Sequence, residues 1–160
     1  MSTEPDCDLL ARSDLGRELN RDECEALAGA MQVRALTDGE VLVRQGERDS
    51  SLFLLAAGRL AVVSDDDGRE SVVYRMKPGE VAGTRAFVDQ APRRATLRAL
   101  GAAMVYTMQP ASFEGLVMSH PMVVYKVMRS LFRIAHENLM RMNIESHHLA
   151  NYIARTGGRH

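Results

Sequence analysis

From Pro78 to Thr96 the chain reads Pro-Gly-Glu-Val-Ala-Gly-Thr-Arg-Ala-Phe-Val-Asp-Gln-Ala-Pro-Arg-Arg-Ala-Thr. These residue types, in this order, suit the capture of an anion. Gly83 permits a tight turn or the close approach of a ligand to the backbone. Residues 84–88 can form one helical turn, whose leading N–H groups lack partners within the helix and favour negative charge. Pro92 stiffens the return. Arg93 then brings a planar fork of donors that matches phosphate or carboxylate oxygens. The same residues also fit a solvated loop arginine, and the stretch alone leaves both readings open.

Other constellations carry less. Asp65-Asp-Asp-Gly68 lacks the later ligands of a calcium loop and reads as a turn between strands. Glu145 and His148 stand three apart on a helical stretch beside His147, but a di-metal site would need carboxylates from facing helices. We read these histidines as solvated, and His136 lies in no haem motif. Cys7 and Cys24 do not form a metal or redox spacing. With no nucleophile elbow, metal motif or paired carboxylates, an enzyme is not expected.

The elements that must position Arg93 are mostly short strands. From Val33 to Gln109, apolar stretches alternate with glycines: Val41–Val43, Leu52–Leu55, Leu60–Val63, Ser71–Met76, Thr96–Leu100 and Met104–Met108. Seven or eight strands at this spacing argue for a sandwich, roll or barrel. Before them, residues 1–8 read as a frayed end. Asn20 with Glu23 reads as a capping box opening a short helix through about Met31. After them, residues 111–119 form a short helix, and Pro121 suits the first turn of a long one.

That last helix carries the clearest periodicity in the chain. Met128, Phe132, Ala135, Leu139, Met142, Ser146, Leu149 and Ile153 recur at spacings of four and three, a coiled-coil seam. A second stripe, Val124, Val127, Leu131 and Ile134, suits packing on its own domain. With no other long helix to receive the seam, a parallel homodimer is expected. The seam residues are Met128, Phe132, Ala135, Leu139, Met142, Leu149 and Ile153.

With 160 residues, 46 % apolar and 26 % charged, the chain is globular and long enough for one real core. Its net charge of −1 excludes a strongly basic nucleic-acid binder. Eight acidic and three basic residues occupy positions 1–30, against two acidic and six basic ones at 121–160. This reads as solvated helices at either end, or as a basic tail for an acidic partner. No apolar run approaches the ~18 residues of a membrane helix, and the start lacks an export signal, so the cytoplasm is expected.

The stretch from Gly79 to Thr96 resembles the phosphate-binding cassette of the cyclic nucleotide-binding domain family, a Gly-Glu-Leu-Ala turn followed, after a variable stretch, by Pro-Arg-x-Ala-Thr. Gly83, Ala86, Pro92, Arg93, Ala95 and Thr96 match it. The flanks Gly39–Glu47 and Leu52–Gly58 resemble the family's early strands, and the likeness covers roughly residues 20–140. It implies a mainly β fold with flanking helices, a double-stranded β-helix or jelly-roll β-roll, plus a long C-terminal dimerisation helix. The type implied is a catabolite-activator sensor domain without the winged helix-turn-helix. The expected division is an N-terminal segment (1–19), the β-roll (20–119), the long coiled-coil helix (120–155) and a tail (156–160).

By this resemblance, Arg93, Arg94, Ala95 and Ala86 would hold the phosphate, and Gly83 and Thr84 would lie on the ribose side. Asn138 and Leu139 would meet the base, although Asn138 also suits a solvated or register-setting role. One position departs from the pattern. The family has a glutamate for the ribose hydroxyl where this chain has Thr84, followed by Arg85. Arg94 replaces a small residue, and its charge could strengthen anion binding or face water. Two functions follow: a cytoplasmic sensor of a cyclic nucleotide or related anion that signals through its dimer, or a ligand-free interaction module. A cyclic nucleotide is the one ligand implied, with no metal. A homodimer and a separate effector protein are the expected partners, with no membrane. The short tail leaves no room for a winged helix, so no specific DNA binding by this chain is expected.

Overall fold

The computed structural model describes the backbone of residues 4–157 and the side chains of residues 4–141. Two short helices, α1 (Cys7–Arg12) and α2 (Arg21–Gly29), lead into β1 (Gln32–Leu36), β2 (Val41–Val43), β3 (Leu52–Asp66), β4 (Arg69–Met76) and β5 (Val81–Ala82). Then come α3 (Thr84–Asp89), β6 (Thr96–Met108), α4 (Pro110–Glu114), α5 (Leu116–Ser119) and the long α6 (Pro121–Gly157). The strands pair antiparallel in the order β1-β6-β3-β4, with β2 also on β6 and β5 on β3. The fold is the expected one, a mainly β roll with flanking helices and a long final helix.

Alternation along the two long strands divides the interior into two layers, because successive side chains leave a strand on opposite faces. In β3, Leu52, Leu54 and Ala56 join the layer under the helices, while Phe53 and Leu55 fill the roll. In β6, Tyr106 and Met108 face the helices and Ala103 and Val105 face inward. Each fully buried leucine here contributes about 1.5–3 kcal/mol relative to exposure.

The strand count is six among the described residues, not seven or eight. Leu52–Leu55 and Leu60–Val63 belong to one strand that bends at Gly58 and does not stop there. Gly58 has φ +82°, and a Cβ there would overlap the Ala102 carbonyl oxygen on β6, so only glycine lets the two strands stay paired through the bend. Thr96–Leu100 and Met104–Met108 are likewise one strand.

The chain start differs from expectation too. Where fraying was expected, the Asp6 side chain caps α1 through the Asp8 N–H at 2.9 Å, and Asp6 N–H reaches the Tyr106 hydroxyl at 3.0 Å. Leu10, Leu15 and Leu19 are buried in the same layer as Leu27 and Met31 of the α2 region. The capping box at Asn20 and Glu23 forms as expected. Gly115 divides the expected 111–119 helix into α4 and α5.

Helix α6 rests on this layer through Val123, Val127 and Leu131, and Ile134 further along the helix is also buried. Val124 is only half-buried; Val123 takes the inner place at the helix start. Three ion pairs fasten the helix to the N-terminal segment. Lys126 Nζ meets Glu23 Oε1 at 2.7 Å, and Arg129 and Arg133 meet the two oxygens of Glu18 at 3.5 and 3.2 Å. The start of α6 is therefore fixed on the domain, which determines where its next turns cross the roll. No described helix is long and apolar enough to cross a membrane.

Candidate functional site

Arg93 is 6 % exposed, an unusual place for a guanidinium unless its donors are matched. Its backbone is held by the preceding loop, with Arg93 N–H donating to the Glu47 carbonyl at 2.9 Å and Gly46 N–H to the Arg93 carbonyl at 2.8 Å. Its Nη2 donates to the Ser51 carbonyl and to Asp49 Oδ1 at 3.2 Å. The Phe53 ring lies under the guanidinium carbon at 4.8 Å. Asp49 is fixed in turn by the Ser51 N–H at 2.8 Å, and the Ser51 hydroxyl accepts from Gln109 Nε2 at 2.6 Å. Burial pulls the Arg93 pKa down while Asp49 opposes it. Burial pushes Asp49 up, but the Ser51 N–H and Arg93 outweigh that and hold it below its ordinary value.

Arg93 Nε and Nη1 are buried and have no hydrogen-bond partner. An unmet buried donor costs about 1–3 kcal/mol, more for a charged group, so such a pair marks a place built for an acceptor. Gly83 shapes the same spot. Its φ is +86°, and an added Cβ would overlap Arg93 Nη1 and lie 3.0 Å from the Ser51 carbonyl oxygen. Helix α3 starts there: the Phe87 N–H makes the first intrahelical bond, to the Gly83 carbonyl at 3.0 Å. Residues 84–86 thus precede that bond, as the sequence suggested. Phe87 anchors the turn against Phe113, ring centroids 5.5 Å apart, and Ala86 is buried beside it.

These residues open on one cavity of about 690 Å³, within the size range of small-molecule sites. Gly83, Thr84, Ala86, Arg93, Arg94 and Ala95 line one end. Val43, Val62 and Leu97 supply apolar wall, and Arg85 and Asp89 stand at the exposed rim. Helix α6 crosses the other side with Met128, Phe132, Ala135, Asn138 and Leu139. The structure therefore brings together every residue expected at the phosphate, ribose and base positions. Thr84 is half-buried in the lining, at the position where the resemblance would place a glutamate.

The seam expected on α6 is solvent-facing where its side chains are described. Phe132 is 76 % exposed, and Met128, Ala135 and Leu139 are exposed as well. Met128 and Phe132 also border a shallow groove with Tyr125, Arg129, Arg133 and His136. Met142, Ser146, Leu149 and Ile153 lie outside the described side chains, as do Glu145, His147 and His148. His136 stacks on Phe132 with ring centroids 6.4 Å apart.

Sequence reasoning did not find the partners of Arg93. The one local signal was Asp49-Ser-Ser51, an order suited to an Asx turn, which the Asp49–Ser51 bond realises. It also missed Arg141, whose Nη2 donates to Asn138 Oδ1 at 3.1 Å and whose guanidinium carbon stacks 4.7 Å from the centre of the Tyr74 ring on β4. The Tyr74 hydroxyl donates to Glu80 Oε2 at 2.6 Å.

Comparison with known proteins agrees with this geometry. The model of the cyclic nucleotide-binding domain matches residues 33–120. The cAMP-dependent protein kinase regulatory subunit of Mycosarcoma maydis is 32 % identical over 108 residues, 64 % of this chain and 21 % of that subunit. The chain thus spans about a fifth of that relative's length. Among solved structures, a cyclic nucleotide-binding domain from Methylobacillus flagellatus superposes with a TM-score of 0.76 at 18 % identity, covering 84 % of this chain and 76 % of that one. Thermus thermophilus catabolite activator protein gives 0.71 at 22 % identity, covering 84 % and 63 %. At these identities the two structures speak for the fold alone.

Proposed function

The chain belongs to the cyclic nucleotide-binding domain family, and from that premise we propose that it is a non-catalytic sensor whose cavity takes a cyclic nucleotide or a related anionic ligand. The carrying observation is Arg93, sealed in the lining with two donors unmet. Phosphate oxygens would accept from Nη1 and Nε, which lie on different edges of the guanidinium, with N–H groups of the 84–86 turn as further donors. The regulatory subunit that this chain resembles is named for its dependence on cAMP, which makes the cyclic mononucleotides the first ligands to try. Ligand in the cavity would touch Met128, Phe132 and Leu139, which also belong to the exposed seam, so the signal leaves through an α6-mediated homodimer to an effector protein. The setting proposed is cytoplasmic.

Thr84 favours a second reading, a ligand-free module that holds a partner by its surface or its helix. A threonine hydroxyl binds a ribose more weakly than a carboxylate, since hydrogen bonds to charged groups are worth about 1.5–3 kcal/mol. Thermal unfolding of the purified chain against a panel of cyclic mono- and dinucleotides separates the two. A ligand at a hundred times its dissociation constant stabilises by about 2.7 kcal/mol and raises the melting temperature. No shift with any member of the panel would favour the ligand-free module.

A further inference from the structure

Resting on the reading of this cavity as a nucleotide site, we infer that its ligand carries two separate phosphate groups, one met by Arg93 inside the cavity and the other by Arg85 and Arg94 at its mouth.

Charge is the first ground. Among its described lining residues the cavity has three arginines and one carboxylate, that of Asp89. The inner arginine already has a counter-charge, since Asp49 Oδ1 stands 3.2 Å from Arg93 Nη2. Arg85 and Arg94 have none: both are exposed, and neither side chain makes a hydrogen bond or ion pair among the described residues. A single phosphodiester on the buried donors of Arg93 would leave these two outer guanidinium groups with water alone. A second phosphate at the mouth would give them oxygens to share, the acceptor that a guanidinium fork matches best.

The second ground is the residue beside Arg85. Thr84 takes the position where the resemblance places a glutamate for a ribose hydroxyl. A carboxylate there accepts from the hydroxyl and repels a phosphate, whereas a threonine hydroxyl can donate to a phosphate oxygen. Dinucleotide sites make a similar exchange: an acidic residue holds a free ribose hydroxyl, and a nearby arginine accommodates a phosphate on that sugar. Both departures from the family pattern, Thr84 for a glutamate and Arg94 for a small residue, move this cavity toward positive charge. Either alone fits a solvated position. Together, around a buried guanidinium with donors to spare, they fit a second phosphate. Two sources share this chemistry: a cyclic dinucleotide, whose phosphodiesters flank each sugar, and a linear nucleoside bisphosphate.

Calorimetric titration with four adenine compounds tests this, because the base stays constant. They are cyclic adenosine monophosphate, cyclic di-adenosine monophosphate, adenosine phosphorylated on both its 3′ and 5′ oxygens, and adenosine 5′-monophosphate. One of the two-phosphate compounds should bind about ten-fold tighter or more than either one-phosphate compound, the order of one charge-assisted hydrogen bond gained. Which of the two leads identifies the source. That advantage should shrink as salt rises, since exposed charges are screened. It should also shrink toward one in the double variant Arg85→Ala/Arg94→Ala, with the melting temperature checking that the variant folds. Cyclic adenosine monophosphate binding as tightly as either two-phosphate compound overturns the inference and leaves the proposed function standing. Equal binding of adenosine 5′-monophosphate overturns it too, because charge on one phosphate would then suffice. An advantage unmoved by salt or by the double variant overturns the role of Arg85 and Arg94. Silence toward all four compounds overturns the proposed function, and this inference with it.

Discussion

At the scale of single residues, Arg93 and Asp49 form a pair whose two members do different work. Asp49 and the Ser51 carbonyl both engage Nη2, which leaves Nη1 and Nε unmet in a residue of the cavity lining. Because Asp49 titrates below its ordinary value in the fold, its contribution to stability is full above that ordinary value, about 3.9. That contribution is lost as pH falls through the lowered value. Asp49→Asn removes this component. The melting temperature of wild type should therefore fall more steeply on acidification below the carboxylate range than that of the variant, and parallel pH profiles would contradict the assignment. Gly83 and Arg93 were legible in the sequence because their chemistry is local: a turn, a fork of donors, a proline between them. Asp49, Ser51 and Phe53 were not, since they meet Arg93 across forty or more residues and only strand pairing determines that meeting. Tyr74 and Arg141 were hidden for the same reason.

Among the elements, α2 and α6 are joined where Glu23 serves two purposes. One carboxylate oxygen accepts from the Asn20 N–H, completing the capping box, and from Lys126 Nζ on α6. Glu23→Ala removes both. Loss of the reciprocal cap alone costs on the order of 0.5–2 kcal/mol, and the lost tie to α6 adds to it. Chemical denaturation should show that fall with an unchanged slope, and a variant as stable as wild type would mean the contact is idle. The capping box could be read from Asn20-Arg-Asp-Glu23 because it is complete within four residues. Strand number could not. Gly58 and Gly101 looked like breaks, yet both sit at positive φ inside continuous strands, where pairing with the neighbouring strand overrides the local signal. Helix α1 is too short for periodicity to show, and its leucines reveal their role only against β3 and β6.

For the whole molecule, the consequence lies in α6, which closes one side of the cavity and carries an apolar stripe outward. Phe132 at 76 % exposure and Leu139 at 56 % form a surface that a second copy would cover. Light scattering should give about twice 17.7 kDa for wild type. Leu139→Glu should give the monomer mass, because a dimer would bury its charge unpaired; a dimer that survives this change would remove the seam. The heptad spacing was visible because a helix repeats along its own sequence, whereas the cavity beneath it exists only once the roll is closed. Binding of a nucleotide through Arg93 is read by calorimetric titration of wild type and Arg93→Lys with a cyclic mononucleotide. Lysine keeps the charge but loses the fork, so two oriented donors disappear while the cation stays. Saturable binding by wild type and a loss of ten-fold or more in the variant, on the order of 1.4 kcal/mol, are predicted, with melting temperatures checking that the variant is folded at the titration temperature. Equal affinity in the two proteins, or no heat from wild type at any concentration, would contradict nucleotide binding through Arg93.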